Sequence, residues 1–129
     1  MFKDTPSFCS FSVSDIAAAK EFYGETLGLS FYERHEGLEL MLSGGTRVFI
    51  YASPANRPAD FTILNFLVTD LAATIAELNE KGVAMQQYDM EHIKTDELGI
   101  VRNESGMGPR MMAWFKDPAG NIIGLMQEH

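Results

Sequence analysis

Apolar side chains fall along this chain at two spacings, and one combination of them occurs twice. In residues 8–18, Phe11 and Val13 alternate with polar neighbours, Ser14 and Asp15 follow, and an alanine-rich run begins. In residues 63–73 the pattern returns 55 positions later, with Phe66, Val68, Thr69 and Asp70 matching Phe11, Val13, Ser14 and Asp15. An alternating run that ends at a hydroxyl and an aspartate, followed by apolar residues three and four apart, predicts a strand entering a capped helix. A repeat of this length is a supersecondary unit present twice.

The remaining elements follow in order. The spacing predicts strand 8–13, then a helix over 15–27 with Ile16, Ala19, Phe22, Tyr23 and Leu27 on one face and Gly28 after its end. Strands are predicted at 29–33, 38–42 and 46–52, the last two flanking the turn residues Ser43, Gly44 and Gly45. Pro54 and Pro58 mark 53–61 as a connector. Strand 63–68, helix 70–81 with Leu71, Ile75 and Leu78 on one face, and strand 83–88 come next. Strands 111–115 and 121–126 close the chain around the turn at Asp117, Pro118, Ala119 and Gly120. Between them, 89–109 is long and polar, with no counterpart in the first half, and reads equally as a lid or as a surface excursion. Each half is therefore β-α-β-β-β.

Length and charge narrow the classes. The 129 residues suggest a single domain, with module one at 8–52, a linker at 53–61 and module two at 62–128. Hydrophobic residues make up 46%, which excludes a disordered chain. With a net charge of −8 and no basic stripe, no nucleic acid and no membrane is expected as a partner. The single cysteine, Cys9, cannot form an internal disulfide and reads as a small buried hydrophobe. No basic-then-apolar leader opens the chain and no apolar run reaches about 18 residues, so a cytoplasmic location is expected.

Alternation also assigns faces. Cys9, Phe11 and Val13 should lie under the first helix, with Phe8, Ser10 and Ser12 facing away from it. Leu64, Phe66 and Val68 should lie under the second, with Ile63, Asn65 and Leu67 facing away. Two twisted sheets of this kind would close a half-barrel around the helix-free faces. The cleft would be mostly apolar with a few polar anchors, as suits a small ligand.

The doubled unit resembles the vicinal oxygen chelate superfamily, the glyoxalase, bleomycin-resistance and extradiol-dioxygenase group. The resemblance is carried by Val13-Ser14-Asp15 leading to Phe22-Tyr23 and Leu27-Gly28-Leu29, and by the closing Phe115-Lys116-Asp117-Pro118-Ala119-Gly120-Asn121. It covers nearly the whole chain. It implies an α+β fold, two tandem βαβββ modules forming a curved mixed sheet around a cleft, and a homodimer.

The resemblance also implies a divalent metal, held by histidine or glutamate at four strand positions. Those positions fall here at Phe8, Ile50, Ile63 and Gly124, none of which has a lone pair to donate. A register one residue off offers Cys9, Leu64, Phe49 or Tyr51, and Ile123 or Leu125, which do not make a site either. No metal and no cofactor is therefore expected, and metal-dependent glyoxalase or dioxygenase chemistry loses its basis.

The candidate ligand-binding set is Phe8, Ser10, Ser12, Ile50, Ile63, Asn65, Arg110, Trp114 and Gly124. Arg47, Arg102 and Arg110 are the cations expected near the rim, where Arg110 could hold an anionic group or pair with a carboxylate. Of Trp114 and Phe115, which alternate, one should face the cleft. His35, in a charged turn, and His129, at the terminus, read as solvated. Asp89, Glu91 and His92 read as a solvated loop face, with His92 or Glu91 as general base the functional alternative. Gly44-Gly45 and Gly106-Met107-Gly108 make no phosphate cradle, since neither joins a strand to a helix. Ser105 lacks the flanking glycine of a nucleophile elbow.

Three functions stay open on this basis. The first is metal-free binding of a small, largely apolar molecule in the cleft between the two modules, for resistance, sequestration or sensing. The second is a glyoxalase-related lyase or isomerase that uses acid–base residues of 89–109. The third is an accessory subunit with a vestigial cleft.

Overall fold

Two aspartates from the repeat start the two helices. In the computed structural model the carboxylate of Asp15 accepts from the N–H of Ala17 at 2.9 Å, and that of Asp70 from Ala73 at 3.1 Å. Both residues are extended, so each ends its strand and caps the next turn at once. The structure describes every residue except Glu104, Gly106 and Pro109. Gly106 of the Gly106-Met107-Gly108 run and the last residue of the 89–109 loop thus lie outside the described residues.

The chain forms two compact units, Met1–Pro58 and Ala59–His129. The first contains β1 (Cys9–Val13), α1 (Ile16–Lys20), β2 (Ser30–Arg34), β3 (Gly37–Met41) and β4 (Arg47–Ala52). Its sheet runs β1-β4-β3-β2, with β1 parallel to β4 and the other pairs antiparallel. The second contains β5 (Thr62–Leu67), α2 (Leu71–Glu80), β6 (Val101–Arg102), β7 (Met111–Lys116) and β8 (Ile122–Gln127). Its sheet runs β5-β8-β7-β6, again with one parallel pair, β5 with β8. Each unit is a βαβββ module with an open four-stranded mixed sheet.

In the first unit the helix expected over 15–27 changes pitch. After α1, residues Glu21–Thr26 form a π-helical turn, with Phe22 and Tyr23 buried on the sheet. The Tyr23 ring lies 5.8 Å from that of Phe11, so Phe11 is under the helix as alternation required. Val13, Leu38, Leu40, Val48 and Ile50 complete this core. The turn between β3 and β4 uses Gly44 and Gly45 at φ 85° and 83°, where a side chain would be strained.

The second unit departs from the expected strand order. Residues 83–88 form no strand ladder; the N–H of Gln86 donates to the Trp114 carbonyl at 2.8 Å and then the segment leaves β7. β6 takes over further along the same edge, pairing Val101 with Met112 and Arg102 with Met111. Two short segments thus share an edge that sequence patterning assigned to one, because Gly99 lets the 96–100 turn fold back onto Met85. Gly99 sits at φ 92°, and a Cβ there would stand 2.6 Å from Met85 Cβ. Leu71, Ile75 and Leu78 pack under Ala113, Phe115, Ile123 and Leu125, all buried.

Candidate functional site

The helix-free face of each sheet follows from strand register. In the first unit Phe11 pairs with Ile50 and Ser10 with Phe49, so Ile50 lies on the helix side with Phe11 while Phe49 lies with Ser10 on the other. Ile50 is wholly buried. Its place in the expected ligand-binding set is corrected to Phe49. All four residues from Val48 to Tyr51 are apolar or aromatic, so the strand's own alternation did not reveal its buried side.

Glu39 is the cross-strand neighbour of both Phe49 and Tyr32, which puts all three on this open face. Its carboxylate is 19% exposed and sits between two guanidinium groups. Arg34 reaches Oε2 with both Nε and Nη2 at 3.1 Å, and Arg47 Nη1 stands 3.5 Å from Oε1. The Tyr32 ring supports Arg34, its centroid 5.3 Å from the guanidinium carbon. These charges share a cavity of about 760 Å³ with Phe8, Phe49, Pro6, Ser7 and Gly45. The lining therefore combines apolar side chains with two cations and one anion.

Sequence reasoning placed Phe8 and Arg47 near this site and missed Arg34, Glu39 and Phe49. A signal for Glu39 existed. It stands alone between Leu38 and Leu40, which are buried, so period-two alternation sends it to the helix-free face. Ser10 is exposed on this face, and the Ser12 hydroxyl donates to Asn56 Oδ1 at 2.7 Å. Cys9, expected to be buried, is exposed at the start of β1.

In the second unit, register groups Asn65, Gly124 and Trp114 on the helix-free face, joined by Met112 and Met126. Trp114 is half-buried and meets the Tyr88 ring edge-on at 5.8 Å, whereas Phe115 belongs to the core. Ile63 falls at a break in register between Thr62 and Leu64. Arg110 lines a different cavity of this unit, about 540 Å³, with Arg102, Asn103, Met111, Gln127 and Glu128.

Glu91 and His92 lie exposed at the tip of a small hairpin, where Asp89 bridges Lys94 and the Met90 N–H donates to the Ile93 carbonyl. His35 and His129 are exposed too. Further along, Asp96 organises the turn before β6. Its Oδ1 accepts from the N–H groups of Leu98 and Ile100, both at 2.9 Å, and its Oδ2 from Arg102 at 2.6 Å. Partial burial pushes the Asp96 carboxyl up, but these hydrogen bonds and the Arg102 charge together hold it below the ordinary carboxylate range. Among the described residues, no three His, Cys, Asp or Glu side chains group as ligands for a metal ion.

Comparison with known proteins points in one direction. Residues 6–125 match the model of the Glyoxalase/Bleomycin resistance protein/Dioxygenase superfamily. No curated protein sequence matches the chain significantly. Among solved structures, TnmS3, an antibiotic binding protein from Streptomyces sp. CB03234, is 27% identical, with 98% of each chain covered and a TM-score of 0.64. A glyoxalase family protein from Enterococcus faecalis shares the fold at 23% identity, covering 98% of this chain and 99% of its own, with a TM-score of 0.70. The fosfomycin resistance protein FosX from Listeria monocytogenes does so at 12% identity, covering 98% and 94%, with a TM-score of 0.72.

Proposed function

Because the chain belongs to the glyoxalase, bleomycin resistance and dioxygenase superfamily, we propose that it binds a small, largely apolar molecule and sequesters or senses it without a divalent metal. The observation that carries this is the cavity on the open face of the first sheet, lined by Phe8 and Phe49 together with Arg34, Glu39 and Arg47. A mostly apolar concavity with a few polar groups is what a small-molecule site requires. The likeness to an antibiotic binding protein over nearly the full length of both chains supports it.

The residues do not suit the metal that this fold implies. Phe8, Ile50, Ile63 and Gly124 offer no donor atoms, and both oxygens of Glu39 are engaged by arginines. The exposure of Glu91 and His92 at a hairpin tip favours binding over a lyase or isomerase that would use them. A homodimer in the cytoplasm completes the proposal; among the described residues no helix is long and apolar enough to cross a membrane.

A melting screen of the purified chain against divalent metals and apolar organic molecules tests this reading. An organic ligand should raise stability by about 2.7 kcal/mol at a hundredfold excess over its dissociation constant. Phe49→Ala should abolish that gain. Stabilisation by a transition metal at one equivalent per chain, with no organic ligand found, would overturn it. Light scattering checks the dimer.

A further inference from the structure

Resting on that binding reading, we propose that the Arg34–Glu39–Arg47 cluster makes the first unit's cavity selective for an oxyanion, a carboxylate or sulfonate carried on an apolar body. Two guanidinium groups and one carboxylate leave a local charge of +1 in a chain whose net charge is −8. A positive spot on an acidic protein is a place where an anion is attracted and a cation is not.

The Arg34 guanidinium is held in place before any ligand arrives. Arg34 is fixed by Glu39 on one side and by the Tyr32 ring on the other, and Tyr32 and Glu39 are direct cross-strand neighbours. A guanidinium has five N–H donors, of which Arg34 spends two nitrogens and Arg47 one on Glu39. The rest remain for an anion at the cavity wall, and Arg34 and Arg47 are 51% and 60% exposed. Orientation prepared in advance lowers the cost of binding. Among the described residues the one carboxylate lining the cavity is Glu39, and a cationic ligand would have to displace an arginine to reach it. Phe8, Phe49 and Pro6 supply the surface for the apolar body.

Two fluorescent probes that differ in charge test the idea: anilinonaphthalene sulfonate and its neutral relative phenylnaphthylamine. The full chain should bind one sulfonate per chain about tenfold more tightly than the neutral amine, the difference of one charge-assisted contact. Added salt should narrow that gap. Arg47→Gln should weaken sulfonate binding more than amine binding, and Arg47→Lys should restore part of the loss. Equal affinities for the two probes, or a sulfonate affinity indifferent to Arg47→Gln, would overturn the selectivity. If the amine binds and Phe49→Ala removes it while no sulfonate preference exists, only this inference falls. If neither probe binds, the binding reading falls with it.

Discussion

The carboxamide of Asn65 occupies the space that a side chain at Gly124 would fill. The two residues are partners across β5 and β8, and a Cβ at 124 would overlap Asn65 Oδ1 and come within 3.2 Å of Thr62 Cγ2. One of the four strand positions at which the resemblance implied a metal ligand thus faces a neighbouring amide. Gly124→Ala should destabilise the chain by about 1 kcal/mol, since the exposed Asn65 carboxamide has to swing aside and Thr62 Cγ2 stays close. In an Asn65→Ala background the same change should cost less, with only the Thr62 contact left. A double-mutant cycle in urea reads the coupling directly. Additive effects would mean that Asn65 does not fill this space.

The turn between β7 and β8 has the strongest buried polar cluster of the second unit. Asp117 and Asn121 are both buried; Asp117 Oδ1 accepts from the N–H groups of Ala119 and Asn121 at 2.9 and 2.8 Å, and Asn121 Nδ2 donates to Oδ2 at 3.1 Å. Asn121 Oδ1 accepts in turn from the N–H of Ala59, fastening the end of the connector. Asp117→Ala would remove these three hydrogen bonds, and at about 0.5–1.5 kcal/mol net for each the loss should be about 2–4 kcal/mol. Chemical denaturation checks the figure. Asn121→Ala should also speed proteolysis near residue 59, where the chain loses its anchor.

The repeated aspartates make a paired prediction. Each caps a helix from an exposed position, so Asp15→Ala and Asp70→Ala should each cost about 1 kcal/mol. Asp70→Ala should cost the same in a chain already carrying Asp15→Ala, because the two caps share no partner. Non-additive losses would show that the two caps are energetically linked.

These pairs also show how far the sequence carried the fold. The strand-to-helix repeat was legible because a period-two run, a capping side chain and a period-three-to-four run each have a mechanical cause in the residues. Faces were legible for β1, where large and small or polar residues alternate; on β7 alternation separated Trp114 from Phe115 without deciding which one joins the core. They were not legible for β4, where Phe49 and Ile50 are both apolar and only hydrogen-bond register with β1 decides. The edge of the second sheet was misread for a related reason. Residues 83–88 look like a strand, yet the partner surface on β7 is shared with β6, and no local pattern announces that competition. Arg47 was expected near the rim, but its grouping with Arg34 and Glu39 escaped because the three come from three strands.

The turn that brings β6 to β7 should be sensitive to acid. In the folded chain the Asp96 carboxyl lies below its ordinary value, despite partial burial, because Arg102 and the N–H groups of Ile100 and Leu98 hold its anion. A group whose folded pKa is depressed adds stability above its unfolded pKa, near 4, and loses that contribution as pH falls through the folded pKa. Wild type should therefore lose more stability than Asp96→Asn between about pH 5 and the acid limit of folding. The side chain is partly exposed, so the difference should shrink in high salt. Hydrogen exchange at the Leu98 and Ile100 amides, followed down the same pH range, should rise in wild type first and most. If those amides stay equally protected when Asp96 is replaced by alanine, the carboxylate does not hold the turn.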